Sequence, residues 1–193
     1  MSSRRRADMF TQDGRPSDED PREHGPRLGD ERTTLAWSLR RQRLTLELKC
    51  AGLDAEQLAR RAVEPSTLSL LGLVRHLAEM ERGLFRGLLS GRDASRLYTS
   101  PESPDGDFDG AVADDDVVAE AWATWRAEVE FAERFVAEAP SLDATADDPL
   151  NEHGSGGGGI SLREAIVGQI EEYARHLGHA DLLRERIDGR LGQ

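Results

Sequence analysis

One cysteine, one lysine and an aromatic content of only 5% mark what this chain of 193 residues has little of. With Cys50 alone, an intramolecular disulfide and any cysteine-rich zinc site are excluded. Cys50 sits near a predicted helix end with no acid–base partner beside it in sequence, and reads as a small, partly buried side chain rather than a reactive thiol. Positive charge is also short. Twenty-five Lys and Arg face 37 Asp and Glu, for a formal net charge of -12, and Lys49 is the sole lysine. Nucleic-acid binders carry a basic patch or stripe. Here the one dense basic cluster, Arg4 to Arg6, turns acidic within a few residues, so neither nucleic acid nor an anionic membrane is an expected partner. No apolar run approaches the ~20 residues of a bilayer-spanning helix. The opening MSSRRRADMF is not followed by the apolar stretch of a secretory signal. The expected location is the cytoplasm.

What is present is helical periodicity. Residues 1–29 are polar, rich in Pro, Gly and mixed charge, and read as a disordered or loosely docked tail; residues 30–193 read as one domain. A first helix is predicted over Glu31 to Cys50, with Asp30 as N-cap and Gly52 just past its end. Its apolar residues fall on two faces, Trp37, Leu44 and Leu48 against Leu35, Leu39 and Leu46, which suits burial in a bundle and support of a homodimer. Asp54 and Gln57 have capping-box spacing and predict a short helical turn. The second long helix starts between Ser66 and Ser69 and runs to about Ser90, with Leu70, Val74, Leu77, Leu84 and Leu88 as its stripe. Residues 91–115 form a long Pro-, Gly- and Asp-rich connection with no strand pattern. A third helix follows over about Asp116 to Ala139, then a Gly-rich loop, then a fourth helix opened by the Ser161 and Glu164 capping box and stopped by Gly189. Four amphipathic helices and no convincing strand predict an all-α four-helix bundle with long interhelical loops. Gly156 to Gly159 lack the Lys and Ser or Thr of a phosphate loop.

On the fourth helix, Glu172, His176 and His179 are spaced four and three apart, and at ~100° per residue they project from one side within about 60°. They flank the stripe of Leu162, Ile166, Ile170, Tyr173, Leu177 and Ala180. His76 flanks the stripe of the second helix near Leu73 and Met80, where a bundle can bring it opposite Glu172 and His176. Two imidazoles and a carboxylate make a good site for one divalent first-row metal, with a further coordination position open to water or substrate. Zinc suits the set best, and Fe(II), Ni and Mn suit it too. A Glu-x3-His pair by itself is more often a solvated surface pair. Glu81 lies near the centre of its apolar stripe, where a carboxylate has a raised pKa unless paired. A core Arg partner is the favoured reading, with a general base or a group behind the metal ligands as alternatives. Glu79 and Arg75 read as solvent-side charges, Tyr173, Trp122 and Trp125 as core aromatics rather than pocket walls, and His24 and His153 as solvated.

The blocks Thr67-Leu68-Ser69-Leu70-Leu71-Gly72-Leu73-Val74-Arg75-His76-Leu77-Ala78-Glu79 and Glu171-Glu172-Tyr173-Ala174-Arg175-His176-Leu177-Gly178-His179-Ala180-Asp181-Leu182-Leu183-Arg184-Glu185 resemble the DinB-like superfamily, in particular its actinobacterial mini-circle-type branch of unknown function. The resemblance spans about residues 30 to 190. It implies a four-helix bundle, commonly dimeric. It also implies a metal triad with one ligand from the second helix and two from the last, which falls on His76, Glu172 and His176. Many relatives carry three histidines; the His-Glu-His version is similar to the metal-binding domain of mycothiol-dependent maleylpyruvate isomerase. That isomerase has a further C-terminal domain without counterpart in these residues, so the resemblance carries over the bundle and triad and not the isomerase reaction. His179 falls where many relatives have Gln, which implies a place beside the ligands or facing substrate. The functional expectation is a metal-dependent transferase or isomerase that uses a thiol such as mycothiol on a small electrophile. The alternative expectation is a non-catalytic metal- or small-molecule-binding bundle.

Overall fold

The structure, a computed structural model, describes residues 21–22, 25–147 and 158–191. His24, His153, the first twenty residues and most of the Gly-rich loop, and with them the expectations placed on them, lie outside the described residues.

Helix α1 spans Glu31–Cys50, and the Asp30 side chain accepts a hydrogen bond from the Thr33 N–H at its start. The short α2, Ala55–Ala59, carries the capping box of Asp54 and Gln57 in both directions. Helix α3, Leu70–Glu81, is capped by Ser69 and continues into a π-helical segment, Arg82–Leu89. Gly91 stops it at φ 63°. The sequence pattern does not foretell the change of winding at Arg82, because a π turn alters the register without breaking the helix. A short α4, Gly106–Asp109, interrupts the connection before α5, Asp115–Glu138. The last helix α6, Leu162–Asp188, starts at Ser161, whose hydroxyl accepts from the Glu164 N–H, and ends on Gly189 at φ 79°.

Where no strand was expected, a two-stranded antiparallel ribbon forms. Strand β1, Thr145–Asp147, pairs with β2, Gly159–Ser161, in the register Thr145 to Ser161. It brackets the Gly-rich loop and sets the start of α6, and the molecule is an all-α bundle with this one small ribbon.

Helix α1 packs along α6 and α3 along α5, and α3 also meets α6. Leu39, Leu46, Leu70, Leu73, Leu77, Phe85, Ile166 and Tyr173 meet in the core. Apolar burial of this kind contributes about 25 cal/mol per Å². Most polar side chains inside the bundle are paired. Arg184 donates to the carbonyls of Lys49 and Ala51 at the end of α1, and Lys49 forms an ion pair with Asp181 of α6. Glu128 of α5 receives both Arg82 and Arg86, which ties the π segment to α5.

At the centre lies a buried chain of polar side chains. Arg43 grips Glu81 with two hydrogen bonds, Nε to Oε1 at 2.8 Å and Nη2 to Oε2 at 2.7 Å. The Tyr173 hydroxyl donates to Glu81 Oε1 at 2.9 Å and accepts from Trp125 Nε1 at 2.8 Å. Glu81 is thus the core partner of an arginine, and Tyr173 and Trp125 are core aromatics. Trp122 packs edge-on against Trp125. Burial, followed by the Glu81 charge, pushes the Tyr173 hydroxyl pKa well above its ordinary range, so the hydroxyl stays protonated and donates.

Candidate metal centre

The α-helical period places Gln169, Glu172 and His176 on one face of α6, and α3 presents His76 opposite them. His76 Nε2 lies 3.0 Å from Glu172 Oε1, and His176 Nε2 lies 2.9 Å from the same oxygen. The ligand-capable atoms of His76, Glu172 and His176 all fall within 4.8 Å of one another. The two imidazole centroids are 4.6 Å apart. One side chain of α3 therefore meets two of α6, 96 or more positions later in the sequence, through the crossing of the two helices.

The remaining ring nitrogens are also held. His76 Nδ1 is 2.8 Å from Asp107 Oδ2, and His179 Nδ1 is 3.3 Å from His176 Nδ1. An Nδ1–H donated to a carboxylate leaves Nε2 as the lone-pair nitrogen, which is the tautomer a metal needs. Phe108 stacks on the His76 ring at 5.4 Å and 25°. The donor set fits a divalent cation on these grounds: two Nε2 atoms and one carboxylate converge, and a buried carboxylate orients one ring from behind.

Electrostatics follow from this packing. Burial disfavours a charged His76, but the hydrogen bonds to Asp107 and Glu172 outweigh it, and the His76 pKa is raised. His176 goes the other way, lowered by burial and by the neighbouring His76. For Glu172, burial works to raise the pKa, but hydrogen bonding to His76 and the charge of His176 prevail and lower it. Cys50 is buried and its thiol is pushed up to about 12, so it is held as a thiol.

Two charges expected on the solvent side are instead buried. Arg75 donates to the carbonyls of Asp107 and Gly106 and stacks over Tyr98 at 3.9 Å. Glu79 accepts from the Tyr98 and Thr99 N–H groups and from the Thr99 hydroxyl. The reason is the connection between α3 and α5, which folds back over α3 and replaces water as the hydrogen-bonding partner. Reading the helix period alone marks that face as solvated because the layer covering it is irregular chain. Asp107 escapes sequence reasoning for the same reason. It stands between Asp105 and Asp109 in a run of Asp and Gly, with no periodic signal to separate the three.

Residues 34–189 match the family described as mycothiol-S-transferase. The chain belongs to the mycothiol-S-transferase family. No curated protein matches it. Among solved structures, the conserved protein of locus from Enterococcus faecalis is similar in fold, with a TM-score of 0.62 and 14% identity over 84% of this chain and 100% of that one. The family match agrees with the DinB-like resemblance of the α3 and α6 blocks and relates the chain to mycothiol transfer. No helix among the described residues is long and apolar enough to cross a membrane.

Proposed function

We propose that this member of the mycothiol-S-transferase family is a cytoplasmic, divalent-metal-dependent enzyme that joins the sulfur of mycothiol to a small electrophile. The observation that carries the reading is the convergence of His76 Nε2, His176 Nε2 and the Glu172 carboxylate, with the far side of each ring tethered. His76, Glu172 and His176 would hold a divalent cation, zinc before Fe(II), Ni or Mn, which would supply the charge that lowers the pKa of a thiol brought to it.

The chain's own residues do the rest. Asp107 holds the His76 ring and its tautomer. The Glu172 carboxylate offsets part of the cation's charge. We assign to His179, half-buried with its Nδ1 3.3 Å from His176 Nδ1, the thiol proton released as sulfur bonds to the electrophilic carbon and the leaving group departs with its electron pair. The thiol comes from the co-substrate because the single cysteine is buried and protonated.

Only three ligand side chains gather among the described residues, which favours a site with a position open to substrate over a closed structural one. Trp37 and Leu44 remain half-buried on α1, and we extend the proposal to a homodimer using this helix.

The test is elemental analysis of the wild type and of His176→Ala, followed by mycothiol consumption with a panel of electrophiles. Near-stoichiometric metal and metal-dependent turnover in the wild type, both lost in the variant, are expected. Absence of metal after incubation with Zn, Fe(II), Ni and Mn would overturn the enzyme reading and leave a helical binding module.

A further inference from the structure

A cleft of about 570 Å³ opens beside the metal centre, with Glu172 in its wall. Met80, Leu84, Leu88 and Ile160 supply an apolar lining. Leu84 and Leu88 are half-buried on the π-helical segment and line the cleft. Such segments recur at functional sites.

Most polar groups around this cleft are already engaged. Arg82 is paired with Glu128 and donates to the Ser95 carbonyl. Glu79 accepts three hydrogen bonds from Tyr98 and Thr99. Gln169 is the exception. It lines the cleft, is only 4% exposed, and its amide Nε2 has no hydrogen-bond partner. Gln169 sits three residues before Glu172 on α6, a rise of about 4.5 Å on the same face. A buried amide donor left unpaired costs about 1–3 kcal/mol, so its presence beside a reactive centre points to a ligand that completes it.

We infer that this cleft is the binding site for a neutral, largely apolar carbonyl compound, whose oxygen accepts a hydrogen bond from the Gln169 amide. The lining holds two carboxylates, Glu79 and Glu172, and two guanidinium groups, Arg82 and Arg96, and so carries no net charge, which suits a neutral carbonyl better than a carboxylate. The hydrocarbon body lies on Leu84, Leu88 and Ile160. Gln169 is then a specificity-determining residue. Calling this ligand the electrophilic co-substrate rests on the proposed thiol transfer; the binding itself does not.

The experiment compares two probes of the same shape, acetonaphthone and isopropenylnaphthalene, in which a methylene replaces the carbonyl oxygen. Affinities are measured by ligand-detected NMR on the full chain. The wild type is expected to prefer acetonaphthone by roughly tenfold, the worth of one net hydrogen bond. Gln169→Leu is expected to bind both probes alike, and Gln169→Met serves if the leucine variant does not fold. His176→Ala is expected to keep the preference, since it removes a metal ligand and not the amide. Intermolecular NOEs from the bound ketone to Leu84 and Ile160 in the wild type place the site without any variant. Equal affinities in the wild type, no binding of either probe, or a preference that survives loss of the Gln169 amide would overturn the inference. Those results leave the metal content and mycothiol turnover untouched, so failure here and failure of the transferase reading are told apart.

Discussion

At the scale of single residues, the proposed metal centre depends on side chains other than its three candidate ligands. Asp107 fixes the His76 ring through Nδ1 at 2.8 Å. Asp107→Asn keeps the shape but weakens that hold, and a loss of roughly 10–100-fold in metal affinity is expected by chelator competition. His76 also gives the metal-free protein a pH dependence. Its folded pKa is raised above the ordinary 6.5, so its contribution to stability is full below that value and is lost as pH rises through the folded pKa. Melting the metal-free wild type and His76→Gln from mildly acidic to alkaline pH should show a difference that holds up to about 6.5 and shrinks as pH rises beyond it; a gap that widens would contradict the assignment. In the core, Glu81 is fully buried against Arg43. Glu81→Ala leaves a guanidinium without its carboxylate and should cost about 3–5 kcal/mol in urea unfolding. That carboxylate sits near the middle of an apolar stripe, so its need for a partner was legible in sequence. Its partner was not, since nothing local links Arg43 to Glu81.

At the scale of elements, α3 and α4 approach closely at Gly72. A Cβ there would stand 2.7 Å from Phe108 Cδ1, on the ring that stacks against His76. Gly72→Ala should therefore cost about 1–3 kcal/mol by overpacking. It should also weaken metal binding, because Phe108 adjoins Asp107. Retained stability with weakened metal binding would show that α4 moves without loosening the core. The long helices themselves were written locally. Asp30, Ser69 and Ser161 cap three of them, Gly91 and Gly189 stop two, and apolar periodicity marks their spans. The π winding after Glu81, the short α4 and the ribbon before α6 carry no such signal. Each depends on contacts to a distant element: Glu128 for the π segment, Arg75 for α4, and strand pairing for the ribbon.

At the scale of the whole molecule, the centre joins α3 to α6 and, through Asp107, to the connection that covers α3. A ligand that binds only the folded chain stabilises it by mass action, about 4 kcal/mol at a thousandfold excess over Kd. Chelation should therefore lower the melting temperature of the metal-loaded wild type, and leave that of His176→Ala unchanged. The sequence by itself determined where the long helices run, that the chain is an all-α bundle, that its one cysteine forms no internal disulfide, and that Glu172 and His176 share a helix face beside the core. These follow from spacing of three and four residues, caps and composition, which are properties of short stretches. Only the tertiary structure decided that His76 meets that face, that Asp107 rather than Asp105 or Asp109 orients it, that Arg75 and Glu79 are buried, and that Gln169 opens on an apolar cleft. Those outcomes depend on how an aperiodic connection folds back over α3 and how two helices cross, and no local pattern along the chain encodes either.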